Sequence, residues 1–93
     1  MGNPRRKPER LGEKLRQIRL TLDISQSEML RRLEAEDFIT YHQISGYESG
    51  NREPPLQILL QYARVAGICM EVLVDDELEL PAKIPKSPKH SYR

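Results

Sequence analysis

The chain has 93 residues, of which 38% are hydrophobic and 5% aromatic, and its 15 Lys and Arg side chains nearly balance 14 Asp and Glu. This length favours one domain with a modest, mainly aliphatic core. The small net charge excludes a uniformly basic nucleic-acid binder. No apolar run is long, so we expect neither a membrane span nor a secretory signal, and we expect a soluble, cytoplasmic protein.

The charges are unevenly distributed along the chain. Residues 1–9 hold three basic side chains against one acidic, and residues 81–93 hold four basic and no acidic ones. Residues 53–80 hold six acidic side chains against one basic, and we expect the acidic stretch at the end of that range to face solvent or another subunit. Prolines interrupt both basic ends. We therefore predict a flexible basic arm at 1–9, one domain at 10–80 and a flexible, Pro-rich basic tail at 81–93.

Two amphipathic helices are predicted at the start of the domain. The apolar residues on one face of the first are Leu11, Leu15, Ile18 and Leu22. Asp23 is its expected end. Ser25 and Glu28 form an S-x-x-E capping box, which predicts the start of the second helix. The residues that we expect the second helix to bury are Met29, Leu30 and Leu33.

A third helix is predicted from the spacing of Thr40 and Gln43. In such a capping box the Thr hydroxyl caps a free backbone N–H and the Gln side chain reaches back to the Thr backbone. Ile44 and Tyr47 would then face the core, and Gly50 would end the helix.

Two further helices complete the pattern. Pro54 and Pro55 can open a fourth, since proline costs least in the first turn, and Gly67 would cap its C-terminus. The residues that we expect it to bury are Leu56, Leu59, Leu60 and Ala63. A short fifth helix is predicted at about 69–75, and the residues that we expect it to bury are Met70, Leu73 and Val74. The single cysteine, Cys69, excludes an intramolecular disulfide and is interpreted as a small buried thiol.

The predicted fold is all-α: a compact bundle of about five short helices with a helix-turn-helix, flanked by flexible tails. Four segments, "LGEKLRQIR", "SQSEMLRRL", "ITYHQISGYESGNREPP" and "LLQYARVAGI", together resemble the lambda-repressor/Cro-like (XRE-type) helix-turn-helix family. The resemblance covers about residues 11–75. It depends on Ser-Gln at the start of the second helix, Ile-Ser-x-Tyr-Glu-x-Gly at the end of the third, and proline before the fourth.

The resemblance implies a DNA-binding function for the third helix, at about 40–49. In that family this helix enters the major groove with its N-terminal residues toward the bases. The positions that match base-reading ones are Tyr41 and His42, with Gln43 as a third. The positions that match contacts to the DNA backbone are Gln26, Thr40, Gly50, Asn51 and Arg52. Read alone, Gln26, Thr40 and Gln43 are more simply interpreted as helix-capping residues.

The resemblance also implies two features of architecture. Arg19 of the first helix and Glu48 of the third match a structural ion pair. The protein would bind double-stranded DNA as a symmetric homodimer, with two recognition helices about 34 Å apart on a palindromic site. No cofactor is implied.

Two features depart from the family pattern. The connection between the second and third helices is longer and acidic, with carboxylates at Glu34, Glu36 and Asp37 and with Phe38 or Ile39 expected to contact the core. Gly46 lies inside the recognition helix, where glycine costs about 1 kcal/mol relative to alanine. It would either let the DNA backbone approach closely or remove one reading position.

Alternatives from other functional classes remain. A protein-interaction adaptor or antitoxin-like partner would use the same fold to hold another protein. An enzyme is not expected, because the sequence lacks a nucleophile–base constellation and a phosphate-binding glycine loop. A metal site is not expected either, since His42, Cys69 and His90 follow no known ligand spacing.

Overall fold

The structure, a computed structural model, describes residues 8–84, which form five α-helices and, within this range, no strand. The helices are α1 Leu11–Leu22, α2 Gln26–Arg32, α3 Tyr41–Ser49, α4 Leu56–Ala66 and α5 Met70–Val74. The all-α fold predicted from the sequence is therefore confirmed. Residues 1–7 of the predicted arm and 85–93 of the predicted tail lie outside the described range. Within it, no helix has the length and apolar content needed to cross a membrane.

The helix ends follow the local signals in the sequence. The Ser25 hydroxyl accepts a hydrogen bond from the Glu28 N–H at 3.0 Å, which starts α2. The backbone adopts the left-handed conformation just beyond three helices, at Asp23 after α1, Gly50 after α3 and Gly67 after α4. This conformation reverses the chain and lets the following N–H groups bond the last carbonyls of each helix.

The core is aliphatic apart from two tyrosines. The predicted α1 stripe is fully buried, and it packs in one cluster with the predicted Met29, Leu33, Ile44 and Tyr47. Tyr62 of α4 and Leu73 of α5, both without exposed surface, extend this cluster through the bundle. The core also includes Ile84, so the folded region continues past the predicted boundary at residue 80.

Four residues that were predicted to be buried are exposed, whereas the predicted Leu59 and Ala63 are buried. On α4, Leu56 is 70% exposed and Leu60 36% exposed, whereas the neighbouring face is buried: Ile58, Leu59, Tyr62, Ala63 and Ala66. The α4 sequence is apolar on two adjacent faces, and packing against the other helices decides between them. Val74, near the end of α5, is 37% exposed, and Cys69, at the N-cap of α5, is exposed as well.

Helices α1 and α3 approach each other closely at Gly12. A Cβ atom added there would lie 2.7 Å from the Tyr47 carbonyl oxygen and 2.9 Å from the Glu48 carbonyl oxygen. Real Cβ atoms do not come so close to backbone oxygens, so only glycine fits. This contact fixes the distance between α1 and the C-terminal half of α3.

The acidic stretch after α5 is open to solvent at Glu77 and Glu79, as expected, and it also binds the start of α1. The Asp76 carboxylate accepts hydrogen bonds from the N–H groups of Glu9 at 2.9 Å and Arg10 at 3.0 Å. The Arg10 guanidinium donates to both carboxylate oxygens of Glu79, at 2.9 and 3.1 Å. Asp76 thus supplies the negative charge that stabilises a helix N-terminus.

A buried lysine joins the same two regions. Lys14 on α1 is only 2% exposed, and its Nζ donates to the carbonyl oxygens of Val72 at 2.7 Å and Asp75 at 2.9 Å. These carbonyls lie at the C-terminal end of α5, where a positive charge is favourable. Hydrogen bonds to that helix end therefore compensate the burial of the Lys14 ammonium.

Candidate nucleic-acid interface

The N-terminal end of α3 is open to solvent. Tyr41 is 47% exposed, and His42 and the N-cap residue Thr40 are exposed too. The Tyr41 and His42 rings stack on each other with their centroids 4.2 Å apart and their planes 30° apart. The two principal base-reading candidates therefore form one exposed surface feature at the N-terminal end of α3. In the family that the sequence resembles, this end of the helix faces the bases.

Gln43 differs from these two residues because its side chain turns back along the helix. Its Oε1 accepts a hydrogen bond from the Thr40 N–H at 3.2 Å, as the capping-box pattern predicts. A bidentate pair with adenine would use the same oxygen. The arrangement favours a capping role for Gln43 and leaves its amide NH₂ as the group able to reach outward.

The predicted ion pair between Arg19 and Glu48 is present and nearly buried. Arg19 Nε and Nη2 donate to the two Glu48 carboxylate oxygens at 2.7 and 3.0 Å, and only 4% of the Glu48 side-chain surface is exposed. The hydrogen bond to Glu48 raises the pKa of Arg19. This paired geometry compensates the desolvation that an isolated buried carboxylate would suffer.

Gln26 is attached to the same ion pair. Its Nε2 donates to Glu48 Oε1 at 3.3 Å, so a single carboxylate on α3 binds side chains from both α1 and α2. Arg19 Nη1 also donates to the Ile24 carbonyl oxygen at 3.0 Å, just before α2. The network therefore links α1, α2 and α3 and holds the side chain of Gln26, the predicted contact to the DNA backbone.

The space beside Gly46 is occupied by the Arg52 side chain. A Cβ atom at Gly46 would lie 3.0 Å from Arg52 Cδ and 3.1 Å from Arg52 Cγ. The Arg52 N–H also donates to the Gly46 carbonyl oxygen at 3.1 Å. The aliphatic part of Arg52 therefore packs against α3 at Gly46. Arg52 as a whole is exposed, as are its neighbours Gly50 and Asn51.

The lengthened connection between α2 and α3 forms two turns. Glu34 adopts the left-handed conformation, and the Ala35 N–H donates to the Leu30 carbonyl oxygen at 3.3 Å, which ends α2. Of the two residues expected to contact the core, Ile39 is buried and Phe38 is 78% exposed. The three carboxylates of this connection, Glu34, Glu36 and Asp37, are exposed.

A groove of about 710 Å³ lies between the N-terminal end of α1 and the C-terminal end of α3. The side chains around it carry both signs of charge, with carboxylates at Glu9, Glu13 and Glu53 and guanidinium groups at Arg16 and Arg52. Arg16 lies on the exposed side of α1, within the segment LGEKLRQIR, but the sequence pattern assigned it no role. Arg16 and Arg52 give this groove two basic groups next to the predicted backbone contacts.

No ligand set for a metal ion is evident between residues 8 and 84, where no three His, Cys, Asp or Glu side chains cluster suitably. His90 lies outside the described residues.

Comparisons with known proteins add no relative. No protein-family model matches the chain, and no curated protein or solved structure matches it. The likeness to the lambda-repressor/Cro-like family therefore stays a resemblance carried by sequence motifs.

Proposed function

We propose that this protein is a cytoplasmic transcriptional regulator that binds double-stranded DNA in a sequence-specific manner. The observation that carries the proposal is the exposed, stacked Tyr41–His42 pair at the N-terminal end of α3. A helix that enters the major groove must present such side chains at this end, because its first residues meet the base edges. Two large aromatic side chains at an exposed helix start have no role in the core.

Residues at both ends of α3 would position the protein on the DNA duplex. Thr40 lies at its start, Gly50, Asn51 and Arg52 lie just beyond its end, and all four are exposed. Gln26 is held at the start of α2 by Glu48. Contacts of this kind to phosphates fix the orientation of the protein on the duplex without distinguishing sequences. Tyr41 and His42 would distinguish them.

A symmetric homodimer is part of the proposal. One copy of α3 spans only a few base pairs, whereas two copies about 34 Å apart would read two half-sites of a palindrome. No enzymatic activity and no cofactor are proposed.

The proposal is tested by selecting the oligonucleotides that the protein binds from a random duplex library. The affinities of variants for the selected duplex are then measured. His42→Ala should change the preferred bases and lose about 1–3 kcal/mol of binding free energy at the affected pair. Arg52→Ala should weaken binding to all sequences alike, because a phosphate contact carries no sequence information. The matched control is Phe38→Ala, which removes an exposed ring outside α3 and should leave both properties unchanged. An unchanged affinity and base preference in His42→Ala would contradict the assignment of the reading helix.

A protein-interaction adaptor is the second candidate. Phe38 at 78% exposure and Leu56 at 70% are large apolar side chains that a partner protein could cover. Failure of the selection to enrich any duplex would favour this candidate.

A further inference from the structure

The exposed side of α3 combines two rings with very short side chains. Its exposed residues are Tyr41, His42, Ser45 and Ser49. The Ser49 hydroxyl bonds back to the Gly46 carbonyl oxygen at 3.2 Å, and Gly46 itself is covered by Arg52. Tyr41 and His42 are therefore the residues of this side that extend far enough to reach base edges.

The same side of α3 offers no bidentate hydrogen-bonding group. Arg, Asn and Gln make the common bidentate contacts to guanine and adenine. None of them occupies an exposed position of α3, and the Oε1 of the half-buried Gln43 is bonded to the Thr40 N–H. The reading surface must therefore depend on ring faces and edges, with single hydrogen bonds from the Tyr41 hydroxyl, a His42 nitrogen or the Gln43 amide NH₂.

The major groove offers one feature that suits such a surface. The C5-methyl group of thymine projects into the groove and is recognised by apolar contact. We infer, given the proposed DNA-binding function, that the Tyr41–His42 pair recognises the C5-methyl group of a pyrimidine, either thymine or 5-methylcytosine. The stacked arrangement, 4.2 Å between centroids, holds the two rings together before DNA binds. The methyl group would pack against the Tyr41 ring.

Methyl-group substitution in the selected duplex tests this inference. Each thymine is replaced in turn by deoxyuridine, which removes only the methyl group and keeps every hydrogen bond of the base pair. We expect about a fourfold loss of affinity at one thymine per half-site, which corresponds to one buried methyl group. At that position, 5-methylcytosine should bind about fourfold tighter than cytosine, which shows whether the methyl group acts independently of the base that carries it.

Three variants assign the effect to Tyr41. Tyr41→Phe should keep the thymine-to-deoxyuridine ratio, because it keeps the ring, and Tyr41→Ser should reduce the ratio to about one. Phe38→Ser, which removes an exposed ring outside α3, should keep the ratio. If Tyr41→Ser binds too weakly for a ratio to be measured, all ratios are measured at a lower salt concentration, where phosphate contacts strengthen binding to every duplex alike.

The outcomes separate the inference from the function on which it rests. Tight, selective binding with no deoxyuridine effect at any position would overturn methyl recognition and leave the DNA-binding proposal intact. Loss of the ratio in Phe38→Ser, or its retention in Tyr41→Ser, would overturn the assignment to Tyr41. Failure to bind any duplex would instead contradict the proposed function.

Discussion

The Tyr62 hydroxyl lies in the centre of the bundle without a hydrogen-bond partner among residues 8–84. Burial raises the pKa of this side chain, so it stays neutral. An unpaired buried hydroxyl costs about 1–3 kcal/mol. We therefore expect Tyr62→Phe to raise the free energy of unfolding by about 1 kcal/mol, measured by urea denaturation. Tyr41→Phe, which removes an exposed hydroxyl, is the matched control and should have no effect.

A loss of stability in Tyr62→Phe would contradict this account, because it would show that the hydroxyl makes a favourable interaction. Two charged side chains near the Tyr62 hydroxyl also shift its pKa. The Glu48 carboxylate raises the pKa of Tyr62 further, whereas Arg19 lowers it.

At the scale of elements, the contact between α1 and α3 depends on Gly12. Gly12→Ala should lower the free energy of unfolding by about 1–2 kcal/mol, since overpacking against backbone atoms outweighs the gain in helix propensity. Gly46→Ala is the matched control in α3. Its added Cβ would meet the Arg52 side chain rather than backbone oxygens, so that variant should lose less stability than Gly12→Ala. Equal urea midpoints for the two variants would refute the close backbone contact.

The helices differ in how far local sequence determines them. The start of α2 follows from Ser25 and Glu28, and the start of α3 from Thr40 and Gln43, because capping bonds join residues three positions apart. The register of α4 followed only in part from its sequence, since Leu59 and Ala63 are buried as predicted, whereas Leu56 and Leu60, a stripe as regular as the buried one, are exposed. Packing against residues far along the chain decides that choice.

In the candidate site, too, some features follow from the local sequence and others depend on distant parts of the chain. Exposure of Tyr41 and His42 follows from their place in the first turn after a cap, and the Arg19–Glu48 pair was implied by the family resemblance. The space above Gly46 could not be assigned from the sequence, because it depends on where the chain turns after α3 and returns Arg52 to the helix. Stacking of Tyr41 and His42 likewise depends on side-chain conformation.

At the scale of the whole molecule, Asp76 and Glu79 connect the end of the domain to its beginning. These contacts span 66 to 69 positions, so no local pattern predicts them. Hydrogen bonds from the Glu9 and Arg10 N–H groups lower the pKa of Asp76, and a hydrogen bond from Arg10 lowers the pKa of Glu79. In the unfolded chain both values return to about 4. The unfolded state therefore binds more protons between the unfolded and folded pKa values.

The sign of the pH dependence follows from these shifts. The stabilisation is fully present above about pH 5 and is lost as the pH falls through the folded pKa values of the two carboxylates. The double variant Asp76→Asn/Glu79→Gln should be less stable at pH 7 and should lose less stability on acidification. Glu36→Gln, in the exposed connection before α3, is the matched control and should keep the original acid dependence. Urea denaturation at several pH values measures the stability at pH 7 and its loss on acidification. Identical pH profiles of stability for the double variant and the original protein would argue against the contacts of Asp76 and Glu79 with the start of α1.

The salt dependence of DNA affinity tests the central claim most directly, because it measures whether phosphates are contacted at all. The protein is titrated with a selected duplex and with mixed-sequence DNA between 50 and 200 mM salt. About 6 phosphate contacts predict a slope near −5 for the logarithm of affinity against the logarithm of salt concentration, with tighter binding to the selected duplex. No measurable affinity for either DNA, or a slope near zero, would contradict the proposal that α3 enters the major groove.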